Sequence, residues 1–329
     1  MGLSIIRFRQ QPASPSTWGR LEGDRVHALP WQDAELRGVL ENRAQRRAEA
    51  EQSTDTGLSL DEVTLLSPLT PSSTLLCQGL NYASHQREAG MEKTEIDPNE
   101  NLLFVKSSAS LCGANDDIVR PRECELLDYE AELGVVIGKP ITATTDVPRS
   151  ALGQYVAGFI ICNDVSARDQ QLGSPAMQWF KGKSYRTFCP AGPVLYLLDE
   201  GEIDYIDRLD VKLWVNGELR QAASTAQLLH KPHDTLGFLS RFANLHPGDC
   251  LLTGTPGGVA LNMNLKTGLA VLLNMRNDAR RLEKLRAAQG NSPAYLRDGD
   301  VVEIAICSED GQISLGKQRN RVSAGATAG

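Results

Sequence analysis

Six apolar runs of strand length, separated by turns and few helical stretches, constrain this chain most. They are TLLCQG (74–79), NLLFVK (101–106), AELGVVIG (131–138), PVLYLL (193–198), VKLWVNG (211–217) and VVEIAI (301–306). Each is rich in the branched and aromatic residues that suit a pleated surface. Helical patterns are fewer, at 151–156, 234–242 and 276–288, with a further Glu-, Arg- and Ala-rich surface stretch within 36–60 that gives way to a loop. A doubly wound parallel sheet needs a helix after nearly every strand. The expected class is therefore α+β, mainly β, with a curved sheet core and peripheral helices. Two prolines in LSPLTPS (66–72) mark a hinge, because neither continues a ladder. The expected division is a small N-terminal domain over 1–70, a larger domain over 71–322 and a disordered tail over 323–329.

The charge balance narrows the function classes. With 34 Lys and Arg against 41 Asp and Glu, the formal net charge is −7. A nucleic-acid backbone is repelled by that balance, and no dense basic stripe offsets it. No apolar run reaches membrane-spanning length, and the N-terminus reads as a strand, not a signal segment. The seven cysteines form no C-x-x-C pair. They read as buried thiols of a reducing compartment. The expectation is a cytoplasmic protein with no nucleic-acid or membrane partner.

Three carboxylates carry the chemistry. Glu130 and Glu132 stand two apart, and Asp164 follows in NDVSARDQQ (163–171). Side chains two apart on a strand share a face. Like charges aimed at one point need a shared proton or a cation. A third carboxylate on a neighbouring strand favours a hard divalent ion such as Mg²⁺. The competing reading is three acids on a solvated edge. His85 and Glu88 stand three apart, on one face of a helical turn. There the acid can orient the imidazole as a general base, or the two can form a plain surface ion pair. Asn81 and Tyr82 are placed to cap the turn before them. Lys183, between Gly182 and Ser184, suits a substrate carboxylate or enolate oxygen. In a strand Lys181 points the same way, so spacing alone leaves both open. TGTPGG (253–258) offers hydroxyls and glycines but lacks the ending of a P-loop.

In order, NYASHQRE (81–88), FVKSSASL (104–111), DYEAELGVVIG (128–138), NDVSARDQQ (163–171) and GKSYRTFCPAGP (182–193) resemble the fumarylacetoacetate hydrolase family. VNGELRQ (215–221), LHPGDCLLTGTPGGV (245–259) and YLRDGDVVE (295–303) continue the resemblance. The family includes acylpyruvate hydrolases and oxaloacetate decarboxylases. The resemblance implies a mixed β-roll, often a homodimer, with a smaller N-terminal domain. It assigns Glu130, Glu132 and Asp164 to one Mg²⁺ or Mn²⁺ ion per subunit. It selects Lys183 over Lys181 and makes His85 and Glu88 a catalytic dyad on a mobile segment. Arg168 and Gln171 match pocket-facing residues, Thr255 a contact to the substrate carboxylate, and Tyr82 is placed with the substrate-binding group.

Two departures from the family pattern remain. Arg186 stands where many members carry an acid; it either holds a second substrate carboxylate or points outward. The segment 260–295 is longer than in compact members, placed to rim the pocket or a dimer interface. The implied activity is metal-dependent C–C bond hydrolysis of an acylpyruvate or fumarylacetoacetate-like β-diketo acid. Alternatives are decarboxylation of an oxaloacetate-type 2-keto acid, isomerisation of a 2-hydroxy-diene-dioate, and a non-enzymatic, metal-dependent ligand-binding protein.

Overall fold

The computed structural model describes residues 1–32, 34–53, 57–91, 97, 100–174 and 176–325. Its centre is the strand Ala131–Ile137, all seven residues of which are buried. On one side it pairs antiparallel with Val156–Asn163, eight buried residues, with Glu132 opposite Cys162. On the other side lies Cys250–Leu252, antiparallel to it and parallel to Leu75–Gly79. Leu102–Lys106 then pairs antiparallel with Leu75–Gly79 and closes that end of a 12-stranded sheet. Strands buried on both faces read as continuous apolar runs, because neither face meets water.

The second sheet has five strands, with Leu209–Val215, Val301–Ser308 and Ser314–Ala324 at its centre. Val301–Ser308 alternates buried and half-buried positions along its whole length, as a strand with one covered face does. Its inward residues Ile304 and Ile306 pack with Val135 and Phe159 of the first sheet in one core. Parallel and antiparallel pairs coexist, and short helices lie around the sheets. The class is mixed α+β, mainly strand, as expected.

The large sheet crosses the division expected at residue 70. Leu3–Arg9 pairs antiparallel with Cys189–Leu197, with Ile5 opposite Leu195. On the far face, Ile5, Trp18 and Trp31 share a core with Leu75, Ile160 and Cys189. The tail begins later than expected: Ser323 and Ala324 pair with Val119 and Arg120, and the Gly325 N–H donates to the Arg120 carbonyl. Residues 326–329 of that expected tail lie outside the described residues. The helix expected at 151–156 is one turn, Leu152–Tyr155, and Val156 already opens a strand.

Among the described residues, none of the segment 260–295 lines the cavity described below. Within it Asp278–Gln289 packs behind the short helix Arg168–Gly173. Arg281, buried, donates to the carbonyls of Leu172 and Ser174. Arg286 binds the Asp169 carboxylate. The segment thus braces the helix that carries Arg168.

Candidate metal centre and active site

Glu130, Glu132 and Asp164 meet at the end of the two central strands. One oxygen from each lies within 4.8 Å of the others, and all three residues are buried. The crossing of the chain is fixed locally: the Asp164 N–H donates to the Glu130 carbonyl, and the Glu130 N–H to the Asn163 side chain. The solvated-edge reading is therefore replaced by a buried cluster.

Lys183 lies on the helix Trp179–Lys183. Lys181 and Lys183 therefore do not share a face as they would on a strand. Lys183 is buried and Lys181 exposed. The Lys183 ammonium bridges Glu130 Oε2 at 2.6 Å and Asp164 Oδ2 at 2.7 Å. Gly182 permits this approach, because a Cβ there would lie 2.5 Å from Gln171 Cβ and 2.8 Å from its backbone nitrogen. Arg168 donates from Nη2 to Glu130 Oε1 and from Nε to Asp128 Oδ2. Its Nη1 donates to Gln171 Oε1 at 3.1 Å.

Burial and charge set the protonation states. Burial works against the charge on Glu130, but the Lys183 ammonium and then the Arg168 guanidinium hold its pKa below the usual carboxylate range. Glu132 is pushed well above that range, first by burial and then by the charges of Asp164 and Glu130. Burial opposes the Lys183 ammonium too, yet Asp164 and Glu130 outweigh it and raise its pKa. Both carboxylates thus favour the charged form of the lysine. The Gly254 N–H donates to Glu132 Oε2 at 2.7 Å. Gly254 has φ 92°, and a Cβ there would lie 2.8 Å from Asn81 Cβ. A side chain at that position is excluded twice over.

These donors fit a hard divalent cation. Three buried carboxylates carry more negative charge than the nearby cations relieve at Glu132. Each carboxylate oxygen has two lone-pair directions, so an oxygen that accepts from Lys183 still has one to offer an ion. A set of oxygens only, with no thiolate or imidazole among them, suits Mg²⁺ or Mn²⁺.

The cluster opens into a cleft with about 270 Å³ of empty space, lined among others by His85, Arg168, Thr255, Phe104 and Trp179. Phe104 and Trp179 form its apolar wall, with ring centroids 5.1 Å apart. His85 and Glu88 lie on the helix Ala83–Glu88. His85 Nδ1 and Glu88 Oε2 are 3.6 Å apart, beyond hydrogen-bond length, and neither atom has another hydrogen-bond partner. The other Glu88 oxygen accepts from the Gly258 N–H at 2.8 Å. The Thr255 hydroxyl accepts from Gln221 at 2.8 Å, which leaves its proton to donate elsewhere.

Three of the expected substrate-binding residues lie off the cleft lining. Tyr82 is buried, and its backbone bridges to Leu228. Gln171 supports Arg168. Arg186 is exposed. Sequence reasoning missed Lys106, which is buried and donates to Asp164 Oδ1 at 2.6 Å. A lysine ending an apolar strand was the available signal. Asp128 was also missed; it accepts from Arg168 and from the N–H groups of Ala260 and Leu261.

Comparison with known proteins identifies the family. The family model for the fumarylacetoacetate (FAA) hydrolase C-terminal domain matches residues 74–323. The chain belongs to the fumarylacetoacetate hydrolase family. The mitochondrial oxaloacetate tautomerase FAHD2B of Bos taurus is 40% identical over 207 residues, 62% of this chain and 62% of that protein. The match thus spans less than two thirds of the relative's length. A crystal structure of a probable 2-hydroxyhepta-2,4-diene-1,7-dioate isomerase from Mycobacterium abscessus has TM-score 0.73 and 30% identity, over 99% of this chain and 100% of that one. Fumarylacetoacetate hydrolase from Exiguobacterium antarcticum has the same TM-score, 0.73, and 30% identity, over 98% and 100%.

Proposed function

We propose that this chain is a divalent-metal-dependent enzyme that moves protons on a small 2-oxo acid, with keto–enol tautomerisation of oxaloacetate as its reaction. The observation that carries this is one cleft lined by Glu130, Glu132, Lys183 and His85, with Asp164 behind it bonded to the Lys183 ammonium. The charged lining suits a small anionic acid better than an apolar ligand. The tautomerase relative is named for such an acid, oxaloacetate.

A Mg²⁺ or Mn²⁺ ion held by Glu130, Glu132 and Asp164 would act as a Lewis acid on the carbonyl of a 2-oxo acid. Lys183 adds a fixed positive charge where enolate charge develops, and needs no reorganisation to do so. The Thr255 hydroxyl donates to the substrate carboxylate. With Nδ1 of His85 turned toward Glu88, Nε2 is the nitrogen left for the substrate. It takes the proton from the carbon beside the carbonyl and delivers it to the enolate oxygen, and the reverse pair of transfers returns the enol to the ketone. Phe104 and Trp179 limit water on the apolar side. The proposal places the enzyme in the cytoplasm as a homodimer. Among the described residues no helix is long and apolar enough to cross a membrane.

The second reading is hydrolysis of a C–C bond in an acylpyruvate or fumarylacetoacetate-like β-diketo acid. The proximity of Glu88 to His85 favours it, because an acid-oriented imidazole can activate water. The hydrolase among the structural relatives agrees with it. A substrate panel with product identification separates the readings. Interconversion of oxaloacetate tautomers without loss of carbon is the expected result. Cleavage of a diketone supports the hydrolase, and CO₂ release supports decarboxylation. Binding of ion and acids without any turnover would leave a ligand-binding protein.

A further inference from the structure

Gln221 ties the strand of the carboxylates to the turn that carries Thr255. It lies on the strand Glu218–Ser224, at the edge of the second sheet, and is 1% exposed. Its Oε1 accepts from the N–H of Ala131, the residue between Glu130 and Glu132, at 3.0 Å. Its Nε2 donates to the Pro256 carbonyl at 2.8 Å and to the Thr255 hydroxyl at 2.8 Å. A backbone N–H only donates and a backbone carbonyl only accepts. Ala131 and Pro256 therefore fix which way round the amide sits, and Nε2 can meet Thr255 only as a donor. The Thr255 oxygen accepts that bond, so its own proton points elsewhere. Among the described residues nothing accepts that proton, and Thr255 lines the cleft.

We propose that Gln221 is a specificity-determining positioning residue, which locks the Thr255 hydroxyl as a donor into the cleft. The inference rests on the 2-oxo acid reading above and adds to it why one end of the substrate is an oxygen acceptor. A free hydroxyl can turn to donate or to accept. A hydroxyl that already accepts from a buried amide has its proton left to give. That favours an oxyanion, such as the carboxylate of a 2-oxo acid, because a hydrogen bond to a charged acceptor is stronger than one to a neutral group. Gln221 is not itself part of the cleft lining. It acts on the substrate through Thr255.

The test titrates the full chain, loaded with Mn²⁺, with pyruvate, the simplest 2-oxo acid, by calorimetry. Wild type, Gln221→Met, Thr255→Val and the double variant are compared. Binding of pyruvate is read whatever reaction the enzyme catalyses. Each single substitution is expected to weaken binding by roughly tenfold or more, the fold-change of a lost hydrogen bond to a charged group. With no hydroxyl left to orient, Gln221→Met should add little to Thr255→Val. Losses that multiply in the double variant overturn the proposal, because Gln221 then acts through the fold alone. Wild-type affinity in Gln221→Met overturns it too. With oxaloacetate the Gln221→Met loss is expected in KM more than in kcat, as for an interaction shared by ground and transition states. A loss confined to kcat overturns the proposal. Should Gln221→Met not fold, Gln221→Glu keeps the acceptor for Ala131 and reverses the polarity toward Thr255. Its loss must then shrink in the Thr255→Val background, and an equal loss in both backgrounds overturns the proposal. A wild type that binds neither acid removes the 2-oxo acid reading and this proposal with it, an outcome distinct from binding without coupling between the two residues.

Discussion

At the scale of single residues, the proposed reaction divides the work: Lys183, bonded to Asp164 and Glu130, holds charge, and His85 moves the proton. Asp164→Asn is expected to remove a ligand charge and suppress metal binding and every reaction together. His85→Ala is expected to keep the ion and lose about 10²–10⁴-fold in turnover, the usual value of general acid–base catalysis. Calorimetric metal titration beside the rate assay reads both, and equal loss of metal affinity in the two variants would contradict the division. The three acids stood out by their spacing, while the choice of Lys183 over Lys181, the His85–Glu88 dyad and Thr255 came from the family resemblance, because each had a bland reading on spacing alone. Lys106 and Asp128 were not, because their importance lies in partners 58 and 40 residues away, Asp164 and Arg168.

At the scale of elements, legibility followed water. Val301–Ser308, with one covered face, showed in its alternating pattern. Val156–Asn163 went unread, since its apolar run follows the one-turn helix Leu152–Tyr155 directly, with no turn signal to mark where the strand begins. The helices Arg168–Gly173 and Trp179–Lys183 were missed as well; each is too short for a periodic signal and is held by packing. Their contact at Gly182 is tight enough to test. Gly182→Ala would force apart the helices that carry Arg168 and Lys183. The expected cost is about 1–3 kcal/mol of stability, the range for overpacked sites. Turnover should fall further than stability, because Lys183 is displaced from both carboxylates. Thermal melts paired with rates check this, and a fully active, equally stable variant would contradict it.

At the scale of the molecule, the N-terminal strands join the large sheet that carries the site. Ile5, Trp18 and Trp31 are buried against Leu75, Ile160 and Cys189, so the first 70 residues cover a face of the same sheet that ends in the carboxylates. Thermal unfolding of the whole chain is expected as a single transition, and residues 71–329 expressed alone are expected not to fold. Two separate transitions, or a stable isolated fragment, would show an independent N-terminal domain instead. The central claim joins this fold to its chemistry: a divalent ion on Glu130, Glu132 and Asp164 enolises a 2-oxo acid. The most direct measurement follows the enol absorbance of oxaloacetate with chelator-treated protein, then after adding Mg²⁺ or Mn²⁺, with Asp164→Asn as control. The account predicts tautomer interconversion above the solution rate only in the ion-loaded wild type. Equal acceleration by the chelated protein, or by Asp164→Asn, would contradict it.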